Sequence, residues 1–333
     1  MKKLSLLLIG LLLVPTLFLT SCDKGDELAP GVIAEPTFTL LKEYMVDNQL
    51  DINNVITNPA GIKFVVGAPT LVDYDAAAFK AKYYIMDIRS ADAYNASHID
   101  GAINVAFGDI LTQATNKEAK QLLVVCYTGQ TACYATALLR MYGHPNAQAL
   151  KWGMTGWSET TDSWTGNIGE VGSESANWSY TNAPALDVFD DPTISSLSID
   201  GSEILRKRVE DVVAEGFKTV ANTDVVASPS DYFINNYFID VDYTGFGHIS
   251  GAHKILPLTL ANGEYKNLDD SAKVVTYCYT GQTSAVVTAC LRVLGYDAYS
   301  LTFGMNGLYH SSSQWVSNQW GVDSHAQGLP FAD

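Results

Sequence analysis

CYTGQT occurs twice in this chain, at residues 126–131 and again at residues 278–283. In both places a largely apolar run precedes the cysteine, as in Leu122–Val125, and a segment with helical periodicity follows it. This order predicts a buried strand, a short glycine-containing loop and a helix N-terminus. A helix N-terminus offers free backbone N–H groups and a partial positive charge, which favour a thiolate. The hexapeptide therefore predicts a reactive cysteine that the chain uses twice.

The sequence around each hexapeptide repeats as well. The matched pairs are Asp87 with Asp240, 39 and 38 residues before the cysteine, and His98 with His248, 28 and 30 residues before it. A Gly-Met dipeptide follows each copy, at residues 153–154 and 304–305. Strands alternate with helices in both copies, which predicts an α/β fold with a mainly parallel sheet and helices on both faces. Both cysteines then lie at the carboxyl ends of strands, where such sheets form their sites.

The repeat divides the chain into two tandem domains, at residues 36–160 and 200–333. Residues 161–199 are rich in small polar residues and are interpreted as a linker or an extension of the first domain. Local patterns predict helices at 36–48, 131–142 and 202–215, and strands at 83–86 and 237–239.

The N-terminus has the pattern of an export signal. Lys2 and Lys3 precede an apolar run, and this run ends at Leu19-Thr20-Ser21-Cys22. The ending resembles a bacterial lipobox, which implies a signal peptide at 1–21, a lipidated Cys22 and a polar tether at 22–35. We therefore expect a protein anchored by lipid to a membrane of the bacterial cell envelope, facing the periplasm or the exterior. A plain N-terminal membrane anchor is the alternative.

Composition excludes several classes of partner. The chain has 20 basic and 36 acidic residues, a net charge of −16, which argues against nucleic-acid binding and against electrostatic docking on anionic membranes. Its five cysteines include no Cys-x-x-Cys pair and no Cys/His cluster with zinc spacing. We therefore expect no metal and no cofactor.

These motifs together resemble a known family. An Asp-Ile-Arg after a strand, a His-Ile-x-Gly-Ala turn, a strand ending in Cys-Tyr-x-Gly and a later Gly-Met-x-Gly segment are similar to those of the rhodanese (sulfurtransferase) domain. The resemblance covers both halves of the chain and implies two tandem rhodanese-like domains. It also implies that a cysteine thiolate takes the sulfane sulfur of a donor such as thiosulfate as a persulfide. The persulfide then passes its outer sulfur to a thiol or to cyanide.

The resemblance assigns roles to named residues. The nucleophiles are Cys126 and Cys278. The substrate-binding loops are Tyr127, Thr128, Gly129, Gln130 and Thr131, and Tyr279, Thr280, Gly281, Gln282 and Thr283. The supporting residues are Asp87, Arg89, His98, Asp240 and His248.

The individual side chains of the loops carry separate expectations. The loop glycines permit backbone conformations that other residues avoid. The threonines at 131 and 283 supply a hydroxyl donor or cap the following helix. The tyrosines line the pocket mouth and the glutamines contact the donor or the acceptor; the alternative is that both are exposed at the loop tip.

The supporting residues are expected to act mainly on the scaffold. For the histidines we prefer a turn residue that hydrogen-bonds within the scaffold over a general base. The aspartates are expected to orient the loop. Arg89 is expected to pair with an acidic residue of its own domain, and Asp242 stands at its matched position in the second copy.

Two alternatives to sulfur transfer are a phosphatase and a non-catalytic module. Phosphatases of similar fold have an arginine six residues after the cysteine, where it binds phosphate, whereas this chain has Ala132 and Ser284 at those positions. The absence of this arginine argues against phosphatase activity. The loops also lack the basic residue that many rhodanese domains carry, so anion attraction has to come from backbone dipoles or from residues elsewhere. The rival to an enzyme is a non-catalytic sulfur carrier or protein-binding module of the cell envelope.

Overall fold

The computed structural model describes residues 36–115 and 120–332. The predicted signal peptide, the tether and Cys22 lie outside these residues. No helix within the two described ranges is long and apolar enough to cross a membrane.

The first repeat forms a five-stranded parallel sheet. Its strands are β1 (Val65–Val66), β2 (Tyr83–Asp87), β3 (Ala102–Asn104), β4 (Gln121–Val125) and β5 (Gln148–Leu150). Its helices are α1 (Thr37–Asp47), α2 (Ile52–Thr57), α3 (Ala76–Lys82), α4 (Ala91–Ala96), α5 (Ile110–Ala114), α6 (Gln130–Met141) and α7 (Gly153–Trp157). The strand order is β1-β5-β4-β2-β3. Leu122 and Val124 enter one apolar cluster and Leu123 and Val125 another, so both faces of the sheet are covered.

The second repeat forms a four-stranded parallel sheet in the order β7-β11-β10-β8. Strand β6 (Trp178–Ser179) lies between the repeats, and the later strands are β7 (Thr219–Val220), β8 (Phe233–Asn236), β9 (His248–Ile249), β10 (Val274–Tyr277) and β11 (Ala298–Leu301). The helices are α8 (Gly201–Glu215), α9 (Asn222–Ala227), α10 (Asp240–Phe246), α11 (Gln282–Val293) and α12 (Gly304–Leu308). Short 3-10 helices cover Phe107–Asp109, Glu159–Thr161, Thr165–Asn167, Pro229–Asp231 and Glu264–Asn267. Both repeats thus have the predicted α/β architecture with helices packed on a parallel sheet.

Most predicted elements are confirmed, and one is wrong. The helices predicted at 36–48, 131–142 and 202–215 and the strand at 83–86 match α1, α6, α8 and β2 within one residue. The strand predicted at 237–239 is instead β8 at 233–236. Its last two residues, Asn235 and Asn236, are fully buried polar side chains. The Asn236 amide donates to the Tyr277 hydroxyl (2.7 Å), and the Asn235 carbonyl oxygen accepts the Ile255 N–H (2.9 Å). These internal partners allow amides inside a strand that the apolar pattern alone does not reveal.

Packing crosses the boundaries between the predicted domains. In the segment predicted as a linker, Trp178 of β6 pairs with Ile249 of β9 in an antiparallel ladder of the second repeat. Near the C-terminus, the Leu329 N–H donates to the Trp157 carbonyl (2.9 Å) in the first repeat. Near the N-terminus, the Asp51 carboxylate accepts the N–H of Leu260 in the second repeat (2.9 Å). The terminal segments therefore bind the two repeats together.

The interface between the repeats is centred on the two helices that follow the hexapeptides. Helices α6 and α11 pack against each other, and one apolar cluster extends from Phe38 to Ala298 without a break between the repeats. Because each helix begins within a cysteine loop, this packing brings the two loops to the same interface.

Candidate active site

Both cysteine loops have the predicted path from strand to helix. Strand β4 ends one residue before Cys126, and α6 begins at Gln130; β10 and α11 are arranged in the same way around Cys278. The turn depends on glycine at the helix N-cap, because Gly129 has φ 85° and Gly281 has φ 73°. The N-cap residue of each helix is this glycine, so the expected capping role of the threonines at 131 and 283 is wrong.

Backbone N–H groups converge on the Cys126 sulfur atom, and one backbone N–H and one hydroxyl group lie at the Cys278 sulfur atom. The Cys126 Sγ accepts the N–H of Gly129 (3.1 Å) and of Ala132 (3.3 Å). The Cys278 Sγ accepts the Ser284 N–H (3.4 Å) and lies 3.7 Å from the Ser284 hydroxyl oxygen. Both cysteines are only 2% exposed. Each loop therefore surrounds a buried sulfur atom with donors that can stabilise a negative charge.

Burial and hydrogen bonding act in opposite directions on the Cys126 thiol. Burial raises the pKa of Cys126 above its ordinary value, and the backbone N–H groups of Ala132, Thr128, Gly129 and Thr131 lower it, with burial the larger effect. The same N–H groups would also face a negatively charged sulfur donor that binds beside the Cys126 sulfur atom.

The Gly-Met segments are hydrogen-bonded to the backbone of the cysteine loops. The Met154 N–H donates to the Cys126 carbonyl (2.8 Å), and the Met305 N–H donates to the Cys278 carbonyl (2.9 Å). A Cβ atom on Gly153 would lie 2.7 Å from the backbone nitrogen of Thr128, so only glycine fits beneath the loop. This close approach explains why a glycine motif follows each hexapeptide.

The two loops are in direct contact through their glutamines. The Gln130 Oε1 accepts the N–H of Phe303 in the second repeat (2.9 Å), while its Nε2 donates to the Thr128 hydroxyl (3.2 Å). The Gln282 amide lies beside Gly129 of the first loop. Both glutamines are buried, so exposure at the loop tip is wrong for them. Gln130 bridges the two repeats and has both ends of its amide engaged.

The two loop tyrosines have different surroundings. Tyr127 is 41% exposed; its hydroxyl lies 3.1 Å from the Ser90 hydroxyl, and the Arg89 guanidinium lies over its ring at 5.7 Å. Tyr279 donates its hydroxyl to Asp242 and stacks on Phe238 with ring centroids 4.2 Å apart. Burial and the Asp242 carboxylate raise the pKa of Tyr279. Tyr127 is therefore partly exposed at the surface, whereas Tyr279 lies between the Phe238 ring and the Asp242 carboxylate.

Asp87 and Arg89 form a buried ion pair. The Arg89 Nη2 donates to the Asp87 carboxylate (2.6 Å) and to the Ser97 carbonyl (2.6 Å), and the Asp87 carboxylate also accepts the Arg89 N–H (3.0 Å). This geometry confirms that Arg89 pairs with an acidic residue of its own domain. Asp87 accepts hydrogen bonds from Arg89 rather than from the hexapeptide, so its support of the loop is indirect.

The match of Asp87 with Asp240 is wrong. Asp87 pairs in register with Val125, the residue before Cys126, and Asn236 pairs with Tyr277, the residue before Cys278. Asn236 is therefore the counterpart of Asp87, and two residues further on Phe238, rather than Asp242, is the counterpart of Arg89.

Asp240 instead opens helix α10. Its exposed carboxylate pairs with Lys254 (2.7 Å), away from the Cys278 loop. The offsets of Asp87 and Asp240 from their cysteines are nearly equal only because the second repeat has additional residues between β8 and Cys278.

Both histidines have structural positions, as the preferred interpretation predicts. The His98 Nδ1 lies 2.9 Å from the Tyr94 carbonyl oxygen, and the ring stacks on that tyrosine. The His248 Nδ1 lies 3.4 Å from the Tyr243 carbonyl oxygen and stacks in the same way, and burial lowers the pKa of His248. Each histidine thus closes a turn in its own repeat.

A cavity of about 260 Å³ opens onto Cys278 at the interface between the repeats. The second repeat contributes Cys278, Tyr279, Thr280, Gln282, Thr283, Val286 and Asn318 to its lining, and the first repeat contributes Ile56, Phe64, Val65, Cys133 and Lys151. Lys151 is the one charged residue among these lining residues. The sequence pointed to this site only indirectly, because Lys151 is distant from the second hexapeptide and becomes part of the cavity only when the repeats pack.

The described residues contain no group of three or more His, Cys, Asp or Glu side chains that could hold a metal ion. Cys126, Cys133, Cys278 and Cys290 are all buried free thiols. Burial raises the pKa of Cys133 and of Cys290 above the usual thiol value.

The chain is similar in sequence to known proteins. The model of the Rhodanese-like domain family matches residues 71–160 and residues 233–311, which is one match in each repeat. The thiosulfate sulfurtransferase GlpE of Tolumonas auensis is 31% identical over 75 residues, which are 22% of this chain and 70% of that protein.

Two solved structures are similar to parts of this chain. A rhodanese-related protein from Thermoplasma volcanium is 19% identical, with 28% of this chain and 90% of that chain covered and a TM-score of 0.25. A thiosulfate sulfurtransferase from Pseudomonas aeruginosa is 14% identical, with 88% of this chain and 48% of that chain covered and a TM-score of 0.29.

Proposed function

Because this chain belongs to the rhodanese-like family, with one such domain in each repeat, we propose that it transfers sulfane sulfur through persulfides on Cys126 and Cys278. The observation that carries the proposal is that backbone N–H groups donate to both sulfur atoms at 3.1–3.4 Å, those of Gly129 and Ala132 to Cys126 and that of Ser284 to Cys278. A thiolate and a persulfide anion both gain from such donors. The donor proposed is thiosulfate, which the name of the GlpE relative also indicates, or a related sulfur compound.

The proposed reaction has two displacement steps. In the first, the cysteine thiolate attacks the outer sulfur of thiosulfate, a new bond to Sγ forms, and the S–S bond of the donor breaks as its electron pair leaves with sulfite. In the second, a thiolate or cyanide attacks the outer sulfur of the persulfide. The bond between that sulfur and Sγ then breaks, and the cysteine thiolate is restored.

Mass spectrometry of the intact chain and of its peptides tests this function. After incubation with thiosulfate, we expect the peptides of Cys126 and Cys278 to gain one sulfur atom and to lose it when cyanide is added. Fragment ions assign the added sulfur to a single residue, and Cys290, a buried free thiol of the same molecule, serves as the control that should remain unmodified. Absence of the adduct from both loop cysteines would contradict the proposal.

The second candidate is a sulfur carrier or protein-binding module without turnover. It is distinguished by the second step, because a carrier would take up the sulfur but would not release it to cyanide or to a small thiol.

We also propose that Cys22 carries a lipid that holds the protein at a membrane of the cell envelope, facing the periplasm or the exterior. The support is the basic and apolar segment that ends in Leu19-Thr20-Ser21-Cys22. Cys22→Ala should move the protein from the membrane fraction to the soluble fraction of its host cell. Unchanged retention in the membrane fraction would argue against lipidation.

A further inference from the structure

We propose that Lys151 of the first repeat is the anion-binding residue of the Cys278 site, so that this site selects small sulfur donors with a negatively charged group. The inference rests on the proposed function, since it names the substrate class of that same site. It assigns to the first repeat a part in the specificity of the second.

The cavity beside Cys278 is built from both repeats. Its lining includes Thr280 and Gln282 of the second hexapeptide, together with Phe64 and Lys151 of the first repeat. A donor that reaches the Cys278 sulfur atom through this cavity therefore contacts the first repeat as well. Its volume of about 260 Å³ is sufficient for a molecule of a few heavy atoms.

Lys151 is positioned to bind an anion in this cavity. It follows β5 at the carboxyl edge of the first sheet, and its N–H donates to the Val66 carbonyl (2.9 Å), which fixes the backbone. Its ammonium donates to the Asn318 side-chain oxygen (2.7 Å). Because an ammonium has three N–H donors, two remain for a ligand after this bond.

The ammonium of Lys151 has no ion-pair partner among the residues that the structure describes. Burial lowers the pKa of Lys151, and the more distant Asp323 acts in the opposite direction. An anion bound in the cavity would offset the cost of burying the charge.

A second observation points to an anion at the same place. The Gln282 side chain lines the cavity, is only 5% exposed, and its Nε2 has no hydrogen-bond partner. A buried N–H donor without an acceptor costs free energy unless a ligand supplies one. Lys151 and Gln282, a cation and a side chain with an unpaired donor, thus line the same cavity as Cys278.

The first site lacks both features. Thr302 occupies the position before Phe303-Gly304 that Lys151 occupies before Trp152-Gly153, so the second repeat offers no matching cation. The Gln130 amide, the counterpart of Gln282, is already engaged by Phe303 and Thr128. Selection of anions is therefore expected at Cys278 and not at Cys126.

Alkylation with a charged and a neutral reagent tests this assignment. The rate of modification of each cysteine by iodoacetate, divided by its rate with iodoacetamide, is measured by peptide mass spectrometry in the full chain. Lys151→Met, which keeps the length of the side chain, should lower this ratio at Cys278 about tenfold, because it removes one nearby positive charge. Lys151→Arg should retain the ratio, and Thr302→Met is the matched control that should leave it unchanged.

The outcomes separate this inference from the proposed function. An unchanged ratio at Cys278 in Lys151→Met would overturn the role of Lys151, and so would an equal fall at Cys126. Alkylation needs no turnover, so the expected fall supports the role of Lys151 even if thiosulfate forms no persulfide. With thiosulfate as substrate, the same variant should raise KM and leave kcat unchanged; a fall in kcat alone would contradict a binding role.

Discussion

Two identical hexapeptides lie in unequal surroundings. Six residues after the cysteine, the first repeat has Ala132 and the second has Ser284. On the strand next to the cysteine strand, Ala149 pairs with Val124 in the first repeat and Ser300 pairs with Thr276 in the second. A buried hydroxyl pair, Ser284 and Ser300 with 2.9 Å between their oxygens, thus replaces two alanines. The loop sequence sets where the backbone N–H groups point, whereas the residues behind it set the polarity around the sulfur.

The surroundings of the tyrosines differ in the same way. The first repeat places its Asp87–Arg89 ion pair under Tyr127, and the second replaces this pair by Asn236 and Phe238. The second repeat instead receives a charge from outside, because Lys151 reaches its cavity from the first. Duplicated loops therefore do not imply duplicated specificity.

The largest expected effect comes from replacing Asp87 and Arg89 of the first repeat by the residue types of their counterparts in the second repeat, Asn236 and Phe238. Arg89→Phe should cost about 3–5 kcal/mol of unfolding free energy, because it leaves the buried Asp87 carboxylate without its cation. The double variant Asp87→Asn with Arg89→Phe removes both charges and should recover at least half of that loss. Denaturant titration of the two variants and the parent chain measures this difference. If the double variant is as unstable as the single one, the unpaired Asp87 charge is not the cause of the lost stability.

The pH dependence of Cys126 gives the next largest effect. Because burial raises the pKa of Cys126 above the ordinary value of a thiol, its thiolate fraction should rise about tenfold per pH unit through the neutral range. From pH 7 to pH 8, its alkylation by iodoacetamide should therefore accelerate about tenfold in the Cys278→Ser variant. Rates measured from pH 6 to pH 10 test this, and a plateau below pH 8 would show that the N–H donors outweigh burial.

Exchanging alanine and serine at positions 132, 149 and 284 should change the alkylation rates of the loop cysteines five- to tenfold. Ser284→Ala removes the hydroxyl that lies 3.7 Å from the Cys278 sulfur, so its rate with iodoacetamide at pH 7 should fall five- to tenfold, about 1–1.5 kcal/mol. The reciprocal change, Ala132→Ser with Ala149→Ser, should raise the rate at Cys126. Equal rates in the parent and in both variants would indicate that the hydroxyls do not stabilise the thiolate.

The smallest effect distinguishes the two glutamines. Gln130→Ala removes the acceptor of the Phe303 N–H at the interface and should cost about 1 kcal/mol of stability. Gln282→Ala removes an amide whose Nε2 has no partner, so it should cost less. The two variants have the same change in composition, which makes each the control for the other in thermal unfolding. A larger loss for Gln282→Ala would contradict the described contacts.

Much of this architecture follows from local sequence patterns. The strand before Cys126, the glycine turn and the helix after it are set by neighbouring residues, and the structure has them where they were predicted. The β8 strand was misplaced because Asn235 and Asn236 interrupt the apolar pattern, and their partners lie far along the chain.

The position of Lys151 could not be read from its neighbours for a related reason. It joins the Cys278 cavity only because α6 and α11 pack the repeats together. Contacts between distant segments leave no periodic signal in a single sequence. The same holds for the C-terminal residues that pack on the first repeat.

Turnover by chains with one loop cysteine tests the central claim most directly. Cys126→Ser retains only the Cys278 site, and Cys278→Ser retains only the Cys126 site; the double variant sets the background. With thiosulfate as donor and cyanide as acceptor, we expect kcat/KM of the Cys278 site to exceed that of the Cys126 site about tenfold, because only the former has a cation in its cavity. Equal values, or a higher value for the Cys126 site, would contradict the claim that surroundings make identical loops unequal.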